Sequence, residues 1–325
     1  MLSLASYWLF KNQQAPKNRI FFENFKYGGH RGSLYNEPEN TIASMAQAKL
    51  EGADLVEFDV ALTKDGVAVL LHDDLLDRTT NKSGPIREIL FKDLNDCNAG
   101  VKFLSADNRR QNSADSASRS LPTLEEMVVW AKRNEMKMII DVKDPDELMR
   151  YAIEDLFKKH DLFDLCIVCS FYPQIVYRMK RNNPRILTGI TWNRWAFSYT
   201  DVAYMTPRYK SVVRQTIAEF VDTINVFCLR TWLPSFLAVD MVLTERGEIC
   251  ERFVRKQENA GRCICAWTVN DPVEMRWMRK TLKIPFLTDK PFLVNDDVIT
   301  PKRTSDIACV LSDESQAKIQ ANSDR

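Results

Sequence analysis

Nine short apolar runs recur along this chain, and helical patterns separate most of them. The runs are 26–30 (KYGGH), 54–60 (DLVEFDV), 67–73, 136–143, 165–171, 185–192, 238–244, 263–270 and 284–289. Most are rich in Val, Ile, Leu, Met and Cys with few polar interruptions, the pattern of strands covered on both faces. Between them, 40–52 opens on Asn40 as the expected helix N-cap and closes on Gly52, while 123–135, 144–160 and 247–261 carry apolar residues three and four apart. About eight such βα units predict a parallel sheet. The leading architecture is an α/β fold, a (β/α)8 TIM-type barrel over 26–292, with an extra strand near 67–72 and an inserted loop region after the second strand. An open doubly wound sheet is the alternative, but no GxGxxG or P-loop marks a nucleotide fold.

The flanks bound the rest. A chain of 325 residues, 45% hydrophobic and 27% charged, can bury a sizeable core, and a net charge of +1 gives no reason to propose a nucleic-acid partner. Residues 1–25 begin with about ten mostly apolar residues, half of what a membrane span needs. They read as a core-packed terminus or an interfacial anchor. A basic leader and a small-residue cleavage site are missing, so no cleavable signal peptide is expected, and a membrane-associated or cytoplasmic location follows. Segment 102–122 reads as a mobile, Ser-rich loop, and 293–325 as a polar, disordered tail. The apolar stretch 212–243 is interrupted by Asp222, Arg230, Pro234 and Asp240, which suits a barrel helix or a membrane-facing lip and argues against a span. If the lip reading holds, Trp8, Phe10, Phe227, Trp232, Leu233 and Phe236 would form one outward patch. The eight cysteines include pairs inside candidate strands, Cys166 with Cys169 and Cys263 with Cys265, and read as small core residues in a reducing compartment. The sequon at Asn81 points weakly the other way.

Polar residues then collect where the strands end, the rim on which barrel active sites are built. His30 ends the first run and is followed by Arg31. Glu57 and Asp59 lie two apart on the second, so both carboxylates project to one side, which is costly without a cation between them. His72 ends the third run, and Asp141 and Lys143 end the fourth. Each alone could be a satisfied histidine or a local ion pair; four strand ends carrying such groups together point to a site.

The segments HRG, PENT, VEFDV with TKDGVAVLLHDDLLDRTT, and DVK, followed late by AWTVN and FLTDKP, resemble the glycerophosphodiester phosphodiesterase family over residues 26–292, closest to its membrane-associated subgroup. DVK departs from that family's usual Glu-x-Lys, which makes Asp141 a less certain ligand than Glu57 and Asp59. The resemblance implies metal-dependent hydrolysis of a glycerophosphodiester, of the glycerophosphoinositol or lysophospholipid type, to glycerol 3-phosphate or lysophosphatidate and an alcohol. A divalent cation, Mg²⁺ or Ca²⁺, would sit on Glu57, Asp59 and Asp141; oxygen-only ligands favour these ions over zinc. Arg31, Lys143 and Trp267 would hold phosphate and substrate, and His30 and His72 would share acid and base roles near neutral pH. Glycines 28, 29 and 32 would let the backbone approach the ligand. Glu39 and Asn40 are assigned to loop bracing and helix capping. Attack by the substrate's own 2-hydroxyl and direct attack by water both stay open. Two rivals stand beside this reading: a phosphatidylinositol-cleaving or sphingomyelinase D-like phospholipase, and a scaffold that kept the barrel without the chemistry.

Overall fold

A computed structural model of the chain describes residues 4–13, 20–103 and 120–294; most of the Ser-rich stretch and nearly all of the polar tail expected from the sequence lie outside the described residues. All nine apolar runs form strands: β1 Tyr27–Gly29, β2 Leu55–Leu62, β3 Ala68–Leu70, β4 Lys137–Val142, β5 Cys166–Ser170, β6 Leu187–Trp192, β7 Met241–Glu245, β8 Cys263–Trp267 and β9 Phe286–Thr288. Eight of them run parallel, and β1 pairs with both β2 and β9, which closes the sheet into a barrel. The ninth, β3, folds back antiparallel on the end of β2, with Val60 opposite Leu70. Parallel neighbours need a crossover, and helices supply it. These are α2 Ile42–Leu50, α3 Leu124–Arg133, α4 Glu147–His160, α5 Pro173–Asn182, α6 Val212–Thr231 with α7 Leu233–Leu237, α8 Glu251–Asn259 and α9 Pro272–Arg276; α1 Leu4–Phe10 precedes the barrel.

The two-residue period of a strand sorts the core into two shells. Val56, Phe58 and Val60 of β2 face outward and pack with Met138, Ile140 and Val142 of β4 against α2, α3 and α4. Leu55, Ile139, Ile167, Leu187, Met241, Cys265 and Leu287 fill the lumen. Phe21 and Phe25 join that inner cluster, at the end where Lys137 donates to the carbonyls of Ile20 and Glu23. The lower lumen is thus apolar, and lumen-facing positions further along the same strands carry Glu57, Asp59, Asp141 and Thr191. Cys166, Cys169 and Cys265 are buried and unpaired, as core residues.

The insertion between β3 and α3 has a small core of its own, in which Leu71, Leu76, Ile86, Leu94, Cys97 and Leu121 pack on Ala61 and Val69. At the opposite side of the barrel, the N-terminal segment is docked. Asn12 donates its backbone N–H to the Phe236 carbonyl at 3.0 Å and its amide to that of Tyr177 at 2.9 Å, and Tyr7 packs on Phe236. Trp8, Leu9 and Phe10 of the same helix stay exposed. The segment 212–243 forms α6, α7 and the start of β7, and α6 has an open face: Val213, Ile217, Phe220, Ile224 and Phe227, spaced three and four apart, are exposed. The expected outward patch needs one correction. Leu233 and Phe236 are half-buried, and Phe236, packed on Tyr7 and stacked on Tyr177 with ring centroids 5.8 Å apart, ties α7 to α1 and α5 rather than facing solvent. Among the described residues, no helix is long and apolar enough to cross a membrane.

Candidate active site

Register places the acids. Asp59 pairs with Asp141 across β2 and β4, and Glu57 lies two residues below Asp59 on the same face. All three are buried, and their ligating oxygens lie within 4.8 Å of one another. Two cations are held among them. Lys143 lies 3.0 Å from Asp59 and is ion-paired to Asp141, while Arg31 Nε lies 3.1 Å from the other Asp59 oxygen. Thr191 from β6 donates to Asp141 at 3.1 Å, and the Arg31 backbone N–H donates to Glu57 at 2.8 Å.

Electrostatics divides the cluster. Burial and the neighbouring Asp59 carboxylate push Glu57 up to about 7. Burial would raise Asp59 as well, but Lys143 and Arg31 hold it well below the usual carboxylate range. Lys143 is raised despite its burial, because Asp141 and Asp59 stabilise its charge. Three crowded carboxylates, one of them driven toward protonation, form a set that a cation would relieve. The donors are oxygens only, which fits a hard divalent ion such as Mg²⁺ or Ca²⁺. Asp141 stands beside Glu57 and Asp59, so the shorter side chain does not take it out of the cluster.

The two histidines are held alike, by carboxylates. His30 Nδ1 lies 2.8 Å from Asp289 Oδ1, and His72 Nδ1 lies 2.6 Å from Asp73 Oδ1. A carboxylate accepts only, so each Nδ1 carries the proton and each Nε2 is left for other work. Their surroundings then pull them apart. Burial by itself would lower His30, but the Asp289 hydrogen bond and nearby carboxylates outweigh it and raise its pKa. Burial lowers His72, the Arg31 and Lys143 charges add to this, and Asp59 and Asp73 do not offset it. Asp289 is braced in turn by the Asn270 amide at 2.6 Å.

The turn after β1 carries two corrections. The N-cap of α2 is Thr41, whose hydroxyl accepts the Ser44 N–H; Asn40 sits one residue earlier with φ +57°. Its amide grips Asp59 from both sides, donating to Oδ2 at 3.0 Å and accepting the Asp59 backbone N–H at 3.1 Å. The glycines make room for the protein itself. A Cβ on Gly29 would meet the Gly32 carbonyl and Ala48, and one on Gly32, at φ +88°, would meet Ser44. Glu39 accepts a hydrogen bond from Arg31 Nη1 at 2.9 Å.

His30, Arg31, Glu57, Asp59, His72, Asp141 and Lys143 line one side of a cavity of about 390 Å³. Its other wall is Trp267, Phe171 and the loop between β6 and α6, including Asn193, Tyr199, Asp201, Val202 and Arg208. Trp267 meets Phe171 edge-on at 5.8 Å, and Lys143 lies over the Phe171 ring. A larger hollow of about 750 Å³, by Trp8, Lys11 and Arg181, has no carboxylate or imidazole among the described residues that line it. Sequence reasoning gave no role to Asp289, Asp73, Arg78, Thr191 or the 193–208 loop. Asp289 and Arg78 were visible in FLTDKP and RTT, but nothing local says which histidine or carboxylate they reach.

A family model described as the glycerophosphoryl diester phosphodiesterase family matches residues 30–293. The chain is similar to glycerophosphodiester phosphodiesterase 1 of Mus musculus, 28% identical over 261 residues that cover 80% of this chain and 76% of the relative. The same protein of Homo sapiens matches with the same identity and coverage. Among solved structures, an Oleispira antarctica phosphodiesterase in complex with the product sn-glycerol-3-phosphate superposes with a TM-score of 0.63 at 23% identity, covering 85% of this chain and 97% of that one. A glycerophosphodiester phosphodiesterase from Agrobacterium tumefaciens gives 0.61 at 19%, covering 83% and 98%.

Proposed function

The chain belongs to the glycerophosphoryl diester phosphodiesterase family and is a phosphodiesterase, and on that premise we propose that it hydrolyses glycerophosphodiesters with a divalent cation and two histidines of unlike protonation. The observation that carries this reading is the pairing of an acid cluster with two carboxylate-held imidazoles in one cavity. Glu57, Asp59 and Asp141 would hold Mg²⁺ or Ca²⁺, which when bound supplies electrophilic pull on a phosphate oxygen. Charge supports the assignment. Three carboxylates against Arg31 and Lys143 leave one negative charge, and a divalent ion turns this into one positive charge, matched to a phosphodiester.

His72, kept neutral, takes the proton of the nucleophile, whether water or the substrate's 2-hydroxyl, through Nε2. His30, kept protonated, gives its Nε2 proton to the leaving alkoxide as the P–O bond breaks. Arg31 and Lys143 meet the phosphate charge, and Trp267 with Phe171 walls the leaving group. The substrates are of the glycerophosphoinositol or lysophospholipid type. That choice rests on the subgroup likeness; the product held by the Oleispira antarctica enzyme, sn-glycerol-3-phosphate, supports only the glycerol phosphate half of the substrate. The test is an assay for release of glycerol 3-phosphate from glycerophosphoinositol and glycerophosphocholine, and of lysophosphatidate from lysophospholipids. Turnover that stops with EDTA and returns with Mg²⁺ or Ca²⁺ is expected; full turnover in excess EDTA with no bound metal would end the metal assignment.

A second part of the reading concerns a lipid surface. A run of ring contacts leads from the exposed Trp8 through Tyr7 and Phe236 to Trp232, which follows the last residue of α6, the helix that carries the open apolar face. This contiguity favours a patch that dips into the headgroup boundary of a membrane.

A further inference from the structure

Arg78 lies on the turn that follows His72, at the edge of the insertion. That turn is firmly built. The Thr80 hydroxyl donates to the Leu76 carbonyl at 2.9 Å, and the Gly84 N–H donates to Asp77 at 2.9 Å. The Arg78 guanidinium is gripped by two carboxylates at once. Nη1 and Nη2 donate to the two oxygens of Glu39, each at 2.7 Å. Nε and Nη2 donate to the two oxygens of Asp73, at 2.6 and 3.2 Å. Each carboxylate also holds a group of the site: Glu39 Oε1 accepts Arg31 Nη1 at 2.9 Å, and Asp73 Oδ1 accepts His72 Nδ1 at 2.6 Å. One unbroken chain of contacts therefore runs Arg31, Glu39, Arg78, Asp73, His72, across two rim loops far apart in sequence.

We propose that Arg78 is a positioning residue: its doubly forked guanidinium sets the His72 loop against the Arg31 loop, so that the imidazole and the phosphate-holding cation face the same atom. Resting on the phosphodiesterase reading, this deepens it. Two features separate positioning from simple bracing. The planar fork fixes direction as well as distance, which a lysine ammonium cannot do. And Arg78 is 48% exposed, so water competes for its bonds and they add little to folding stability. Stability and turnover should therefore respond unequally, because a displacement of about 1 Å at a reacting group can cost ~10² in rate.

The experiment compares wild type, Arg78→Lys and Arg78→Ala, each loaded with Mg²⁺ or Ca²⁺, on one water-soluble glycerophosphodiester. Both variants should melt close to wild type, keep KM within about threefold and lose kcat by about 10- to 100-fold. Added guanidinium ion should restore part of the Arg78→Ala turnover and leave wild type unchanged. A folded Arg78→Ala with kcat within about threefold of wild type would overturn the proposal. So would a rise in KM at unchanged kcat, which would make Arg78 a substrate contact, or melting of both variants below the assay temperature, which would make it a fold tie. An inactive wild type would instead remove the phosphodiesterase reading beneath it.

Discussion

The rim of this barrel is built in two unlike halves. Strands β2 and β4 and the loops after β1, β3 and β4 bring His30, Arg31, Glu57, Asp59, His72, Asp141 and Lys143 into one cluster, where most charged groups have two or more partners. The loop after β6 is braced from behind. Buried Asp222 of α6 accepts the Phe197 and Ser198 N–H groups at 3.1 and 2.9 Å, and Arg208 donates to the Ala196 and Tyr199 carbonyls. Yet this loop leaves Phe197, Val202, Met205 and Tyr209 exposed, and Val202 lines the cavity. One half spends its polar groups on each other to hold charge in place; the other spends them on its own backbone and leaves side chains outward. Turnover should therefore be set by the first half, and choice of leaving group and surface by the second and by α6 beside it.

Removing an imidazole tests the first half most severely. His30→Ala and His72→Ala should each lower kcat by about 10² to 10⁴ on every substrate while the fold stands. Asp289→Asn, which leaves the His30 ring but loosens it, should cost less than His30→Ala. A folded histidine variant with wild-type turnover would take that residue out of the chemistry.

Glu57 offers a second break, through stability. Because burial beside Asp59 lifts it to about 7 from an ordinary 4.5, the cation-free folded protein binds a proton there that the unfolded chain has lost. Stability from this group is present below pH ~4.5 and is lost as pH rises to about 7, by about 3 kcal/mol at most. Denaturant unfolding of the cation-free protein should show that slope, Glu57→Gln should flatten it, and Mg²⁺ or Ca²⁺ should stabilise wild type more at pH 8 than at pH 5. An identical slope in Glu57→Gln would show that the cluster does not carry the strain assigned to it.

The smallest effect on turnover belongs to the other side. Phe220→Ser with Ile224→Ser should leave turnover of a water-soluble substrate within about twofold, since α6 buries other positions, while lowering co-sedimentation with liposomes. Wild type that stays in the supernatant would leave the α6 face without a lipid partner.

The period of the sequence was enough for the fold. Nine runs became nine strands because a chain that buries both faces of a parallel sheet must write continuous apolar runs, and that signal is local. The two-residue spacing of Glu57 and Asp59, and the strand-end places of His30 and His72, were legible for the same reason. Whatever depended on closure was not. Asn40 looked like a helix cap because Asn is a good one, but the turn put Thr41 in that role and freed the Asn40 amide for Asp59. Glycines 28, 29 and 32 suggested a ligand's approach, and Gly29 and Gly32 proved to clear the way for their own loop and α2. Closing the barrel set Asp289 against His30 from the far end of the chain, and the insertion set Arg78 between Glu39 and Asp73. Residue types and spacing thus determined which groups could do chemistry; only the closed sheet decided which carboxylate each cation and imidazole would meet, because hydrogen-bond geometry acts over a few ångströms of space and has no fixed counterpart in sequence distance.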